Sequence, residues 1–250
     1  MSNFDNQVHF TMQGKGGVGK SLTASLQAQY FTEKCGDVQC FDTDPVNDTL
    51  TQYTALKATR INVLNSDSNI NARAFDQLME KLFECKGVAV VDNGASTFIP
   101  AMAYMVENQV VDMLQAAGKR VFIHSVLTGG QALSDTVTGL TRMLEVHPAP
   151  VVVWLNEFFG DVKKDGKSFQ ESAVFRKYQD RIQGIVKLER RNADTFGVDM
   201  ETMVRNKLTF EQALQSPDFG VMAKQRLKML RSAIFEQLDG IEFDQQLAQA

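Results

Sequence analysis

The chain is poor in cysteine. Cys35, Cys40 and Cys85 are the only three in 250 residues, an odd number without metal-ligand spacing. That sets aside a disulfide scaffold and a zinc module, and it predicts buried thiols in a reducing, cytoplasmic setting. Long apolar runs are missing too: no stretch approaches the roughly 20 residues that cross a bilayer. The N-terminus carries Asp5 and no apolar core, so no secretory signal is read there. Internal repeats and low-complexity tracts are absent. So is any excess of positive charge: 26 Lys and Arg against 30 Asp and Glu give a net charge of −4. A surface coated for nucleic acid is thereby disfavoured, although a local basic patch is not.

What is present is ordinary for a globular protein, with 44% hydrophobic and 22% charged residues. The length fits one α/β domain with a sizeable core, expected over residues 1–240 with a frayed tail at 241–250. The distinctive stretch is Gly14-Lys15-Gly16-Gly17-Val18-Gly19-Lys20-Ser21, a full match to the phosphate-cradling pattern G-x-x-x-x-G-K-[S/T]. Val8 to Met12 ahead of it alternates like a buried strand, and Leu22 to Lys34 behind it reads as helix. Strand, glycine loop and helix are the context the motif needs. The glycines let backbone N–H groups turn toward phosphate oxygens, and the helix start adds its positive dipole end. Gly14 to Leu22 is therefore the expected nucleotide cradle, with Lys20 reaching the β- and γ-phosphates and Ser21 ligating Mg²⁺. The bland alternative is a glycine-rich turn without function.

Two acidic segments follow. Val38 to Phe41 is a short strand ending in Asp42-Thr43-Asp44-Pro45, and a carboxylate pair just past a strand's C-terminal end lies on the ligand edge of a parallel sheet. An Asx-type turn punctuated by Pro45 is the other reading. Gly87 to Val91 is an apolar strand ending in Asp92, the Walker B form. Such a strand is apolar on both faces and belongs inside a helix-covered parallel sheet, where Asp92 would hold Mg²⁺ through water or merely cap the strand. Further strands are expected at Ile61–Leu64, Arg120–Val126, Pro150–Asn156 and Gly184–Leu188, with helices at Asn71–Glu84, Ile99–Ala117, Gln131–Val146 and Ala223–Leu238. The pattern predicts a doubly wound, mostly parallel sheet with helices on both faces. His124, inside a strand with no acid or cysteine nearby, reads as a satisfied core histidine. Lys163-Lys164-Asp165-Gly166-Lys167 is a solvated loop or a contact for phosphate or a partner. On the last helix Lys224, Lys228 and Arg231 flank an apolar stripe, leaving three readings: packed helix, membrane-surface helix, or a face for a partner or DNA.

The form K-G-G-V-G-K-S, with a lysine at position 15, resembles the deviant Walker A box of the ParA/MinD family of dimerising ATPases. That resemblance implies a lysine that crosses the dimer interface to the partner's nucleotide, the role Lys15 would take unless it is an exposed loop lysine. It further implies Asp42 in the magnesium shell and Asp44 as the group that orients the attacking water. Lys15, Lys20 and Asp44 would thus carry catalysis, and Ser21, Asp42 and Asp92 the metal. Asn156, at a strand end, would hydrogen-bond adenine or serve as a turn residue. Guanine selection would need N-K-x-D, and Asn206-Lys207-Leu208-Thr209 lacks the acid, which favours ATP.

Two departures stand out: Val46-Asn47-Asp48 follows the first acidic segment where Q-G-N is usual, and Asn93-Gly94 follows Asp92 where x-P is usual. Both are shared by a closer resemblance, to nucleotide-binding proteins of plasmid conjugal transfer regions. It is carried by Gln13–Ser21, Asp42–Asn47, Asp92–Ser96, Thr128–Leu133 and Val153–Asn156, and it runs on through Gln225–Lys228. The implied protein is an ATP- and Mg²⁺-dependent switch that dimerises with ATP, hydrolyses it slowly and works with other conjugal transfer proteins. It would be cytoplasmic or peripheral at the inner membrane, with DNA or membrane contact left open. The alternatives are a nucleotide-responsive scaffold with little hydrolysis, and a small-molecule kinase, for which the only adjacent arginine pair is Arg190-Arg191.

Overall fold

A computed structural model describes residues 4–64, 71 and 73–243. Its centre is a seven-stranded sheet in which every neighbouring pair is parallel. In chain order the elements are β1 (Gln7–Thr11), α1 (Lys20–Cys35), β2 (Val38–Asp42), β3 (Thr59–Arg60), α2 (Ala74–Glu84), β4 (Val88–Asp92), α3 (Phe98–Glu107), α4 (Val110–Ala116), β5 (Arg120–Thr128), α5 (Leu133–Val146) and β6 (Val151–Asn156). A two-stranded hairpin, β7 (Lys163–Lys164) and β8 (Lys167–Ser168), comes next. Then follow α6 (Ala173–Tyr178), β9 (Ile182–Leu188), α7 (Val198–Arg205), α8 (Phe210–Gln215) and α9 (Val221–Asp239). The strand order is β3-β2-β4-β1-β5-β6-β9.

The two-residue period of the strands divides the core between two faces. Val8, Phe10, Ala89, Val91, Val151 and Val153 pack on one side with α2 to α5. Val88, Val90, Phe122, Val152 and Trp154 pack on the other with α1 and α9. β1 lies between β4 and β5, so the chain winds outward on both sides of it. The C-terminal end of β1 is the topological switch point where open parallel sheets bind ligands.

The doubly wound reading holds, with local corrections. The strand expected at 61–64 lies at Thr59–Arg60, paired to the last two residues of β2. Ile61 still donates to the Asp42 carbonyl at 2.8 Å, but β2 ends there and offers no further partner. The helix expected over 99–117 is broken: Gln109 adopts a left-handed conformation (φ 48°), and the chain restarts as α4 with Val110, Val111 and Leu114 buried. α5 begins at Leu133 after a single 3-10 turn over Gly130–Ala132. The tail does not start at 241, because Ile241 and Phe243 are 8% and 1% exposed in the second core; the expected fraying at 244–250 lies outside the described residues. α9 is a packed helix: Leu227, Ile234, Phe235 and Leu238 are buried, and Arg231 pairs with Glu33 of α1. No helix among the described residues is long and apolar enough to cross a membrane.

Candidate nucleotide site at the sheet edge

The loop after β1 occupies the switch point. Gly14 to Gly17 are exposed, whereas Val18 is buried and Lys20 is only 7% exposed. α1 starts at Lys20 behind Gly19, whose φ of 100° is open only to glycine, and no side chain caps the helix. The first amides of α1 have no intrahelical acceptors and stand ready for an anion at the positive end of the helix dipole. Lys20 reaches back over the loop and donates to the Lys15 carbonyl at 3.0 Å. Burial pushes its ammonium pKa below the ordinary value, and the nearby Asp92 and Asp44 carboxylates pull it partly back.

Three acids meet here, in three different states. Asp92, at the end of β4, is 1% exposed, and neither of its carboxylate oxygens makes a hydrogen bond of good geometry. Burial pushes its pKa up to about 7, against the opposing pull of the Ser21 hydroxyl and the Lys20 ammonium. Asp42 is its register partner on β2, fully buried but satisfied. Oδ1 accepts from the Asp44 amide at 2.9 Å, and Oδ2 accepts from the Leu50 and Thr51 amides at 2.9 and 3.3 Å. Asp42 therefore fixes the loop at 44–51. Asp44 is part-buried, and its Oδ1 accepts from the Val46 and Asn47 amides at 2.9 and 3.2 Å. This is the Asx turn read as the alternative from the sequence. The Asp44 carboxylate lies against Gly94, where an added Cβ would stand 2.7 Å from its carbon. The Asn93-Gly94 departure is thus the feature that lets the two acidic loops touch.

Asn156, at the end of β6, is turned toward the phosphate loop: its amide donates to the Val18 carbonyl at 2.9 Å and its Oδ1 accepts from the Phe158 amide at 3.2 Å. The contact to Phe158 is that of a turn residue, and the contact to Val18 adds a clamp on the phosphate loop that the sequence did not indicate; both polar atoms of the side chain are engaged within the protein. Lys15 projects away from the cradle to an ion pair with Asp135 on α5 at 2.8 Å.

Sequence reasoning missed several supports. Gln13 is 1% exposed; its Oε1 accepts from the Gly14 amide at 2.9 Å, and its Nε2 donates to the Val126 and Thr136 carbonyls at 3.1 and 3.0 Å. It ties the loop to β5 and α5. Its signal was a lone amide closing an apolar strand beside the motif. Thr43 donates to Asn93 at 3.0 Å and locks the acidic loops together. Asp135 gave no signal, being 120 residues from Lys15.

Among the described residues no three His, Cys, Asp or Glu side chains form a metal cluster, so a closed protein cage for a metal is not what this edge offers. A buried carboxylate with no well-formed hydrogen bond, beside a serine hydroxyl, a lysine and the first amides of a helix, is instead the donor set that a nucleotide with Mg²⁺ fits. The other oxygens around the ion would come from phosphate and water.

Sheet order, loop and acids together define the fold of the ParA/MinD-type P-loop NTPases. Solved structures with that fold include the MinC:MinD complex of Aquifex aeolicus, with TM-score 0.51, 14% identity and coverage of 94% of this chain and 96% of that one. A ParA family ATPase of Chlorobium tepidum matches with TM-score 0.51, 13% identity and coverage of 92% and 98%. No family model matches the sequence. Two Escherichia coli proteins named Protein TraL do match, 43% and 39% identical over 235 residues, which is 93% of this chain and 97% of each of theirs. The chain belongs to the TraL family.

Proposed function

We propose that the protein is an ATP-binding switch of the ParA/MinD type that binds ATP with Mg²⁺, pairs two copies face to face and separates them by slow hydrolysis, in the service of plasmid conjugative DNA transfer with other transfer proteins. The observation that carries this reading is Asp92, a buried carboxylate whose oxygens make no hydrogen bond of good geometry and whose neighbours are the Ser21 hydroxyl and the Lys20 ammonium. Leaving such a group unpaired costs several kcal/mol, so a fold that keeps it points to a ligand that satisfies it.

The roles divide among the residues present. The amides from Gly14 to Leu22 bind phosphate oxygens, and Lys20 neutralises them. Ser21 and Asp92 hold the magnesium shell, and Asp42 positions the loop that carries Asp44. Asp44 orients water once its Asx turn opens, and Asn156 braces the loop at Val18. Lys15 leaves Asp135 to reach the partner's nucleotide. Mg²⁺, when bound, would neutralise phosphate charge there. The placement of the protein in the cytoplasm, or peripherally at the inner membrane, belongs to the same reading.

Calorimetric titration with ATP and Mg²⁺ tests the assignment. Lys20→Ala should weaken binding by about 100-fold, the worth of two charge-assisted hydrogen bonds. Asp92→Ala should bind ATP but lose the gain that Mg²⁺ gives. Unchanged affinity in Lys20→Ala would remove the loop from the site. Phosphate release in a single turnover separates a hydrolysing switch from a scaffold that only binds.

A further inference from the structure

The basic segment after β6 is a built structure and has no part in the nucleotide site. β7 and β8 pair antiparallel around Asp165-Gly166, both left-handed with φ of 50° and 75°. Two such residues make the tight turn whose twist matches a hairpin. The register sets Lys164 directly opposite Lys167, a like-charge pair that costs stability. Three acids lie near: Asp161 pairs with Lys163 at 3.2 Å, Glu171 accepts from the amide and hydroxyl of Ser168 at 2.8 and 2.7 Å and also feels the charge of Lys167, and Asp165 stands at the turn between Lys164 and Lys167. Among the described residues no carboxylate forms an ion pair with Lys164 or Lys167.

Below the lysines lies a cleft of about 480 Å³ between the hairpin, the first turns of α5 and the start of α6. Its floor is apolar, formed by Leu133, Val137, Val162, Phe169 and Val174. An apolar floor of this size under a rim of net positive charge, Lys163, Lys164, Lys167 and Arg176 against Asp165 and Glu171, has the anatomy of a site for anchoring side chains with acidic flanks.

We propose that this cleft docks a peptide segment of a partner protein that carries apolar anchors flanked by Asp or Glu. The acids relieve the Lys164–Lys167 repulsion, and the anchors fill the floor. A nucleic-acid backbone would meet the lysines but leave the apolar floor empty, and the net charge of −4 opposes it over the rest of the surface. This site stands apart from the nucleotide reading and does not depend on it.

The test is fluorescence anisotropy with a fluorescein-labelled peptide of alternating Glu and Leu around a central Phe, titrated with the full chain. Binding should saturate and weaken with salt. Lys164→Glu/Lys167→Glu should lower affinity at least about tenfold. Lys164→Gln/Lys167→Gln removes the repulsion, so it folds at least as well as the native chain, and it too should bind more weakly. Lys224→Glu/Lys228→Glu on α9 should bind as the native chain does. So should Lys20→Ala, which keeps a failure here distinct from a failure of the ATP assignment. A Glu-only peptide of the same length should bind at least about tenfold more weakly. The proposal is overturned if both hairpin variants bind normally, if the Glu-only peptide binds equally well, or if a DNA oligonucleotide binds more tightly than the peptide and loses its affinity in the same variants.

Discussion

Asp42 and Asp92 end neighbouring strands and face each other in register. Both are buried, and burial raises both pKa values. Yet one carboxylate holds three backbone amides and the other holds none. Deeper in the same sheet, His9 and His124 repeat the first case. Trp154 donates to His124 at 2.9 Å, the two imidazoles share a hydrogen bond at 2.9 Å, and His9 meets Gln7 at 3.0 Å. A buried polar group with its partners in place is architecture. One without them, when it is an acid at the ligand edge of the sheet, is what the proposed nucleotide reading rests on; Thr23, Gln27 and His147 also carry buried side-chain atoms without partners, so burial alone does not tell the two apart.

The comparison breaks most visibly in stability. Asp42→Ala strands three amides, each costing about 1–3 kcal/mol when unpaired, so the loss should be about 5 kcal/mol in urea unfolding. Asp92→Ala should leave stability at neutral pH unchanged or higher, because a desolvated charge is removed. Equal losses in the two variants would mean that Asp92 has partners after all.

The next largest effect is a pH dependence. An acid whose folded pKa is raised contributes its full stability below the unfolded value and loses it as pH rises through the folded one. For Asp92 that window runs from 3.8 to about 7, roughly three units or about 4 kcal/mol. Asp92→Asn without Mg²⁺ should therefore exceed the native chain by about that amount at pH 8 and match it near pH 4. Added Mg²⁺ should narrow the gap by stabilising the native chain. The histidines run the other way. Burial lowers His9, takes His124 to about 3 and takes His147 to about 4. The stability they hold above 6.5 is lost as pH falls below it, equally in both proteins, so the difference curve isolates Asp92. A gap that does not vary with pH would place the effect elsewhere.

The phosphate loop was legible because its signal is local: eight consecutive residues between a strand and a helix. Asp92 was legible because β4 is apolar on both faces up to that residue. The state of each acid was not legible, since the amides of Leu50 and Thr51 reach Asp42 only after the loop has turned back on itself. The break at Gln109 escaped because Ile99 to Ala117 has no glycine and its one proline, Pro100, sits in the first turn; the local signal was Asn108, a weak helix former that caps α3. What splits it is the need to turn Val110, Val111 and Leu114 into the core. The clamp by Asn156 and the tie by Gln13 join residues that pair only through strand order, and His124 could be read as a core residue without its partners being named.

The smallest expected effect concerns Lys15, and it tests whether the proposed nucleotide site reaches beyond one chain. Its ion pair with Asp135 has side chains 45% and 58% exposed, and pairs so open to solvent contribute below about 1 kcal/mol. Lys15→Ala and Asp135→Ala should each unfold within that margin of the native chain. Both should bind ATP almost normally, because Lys20 and the loop amides remain. Their association should differ. If Lys15 serves the facing nucleotide, its loss brings two sets of phosphate charge together without compensation, and Lys15→Ala should stay monomeric with ATP and Mg²⁺. Asp135→Ala frees the ammonium and should dimerise at the same or a lower protein concentration. Asp44→Ala, lacking the group that orients water, should hold its ATP dimer longest. Light scattering across the three variants reads this order directly. A Lys15→Ala that dimerises as the native chain does would reduce Lys15 to a surface partner of Asp135 and confine the proposed nucleotide contacts to the single chain around Asp92.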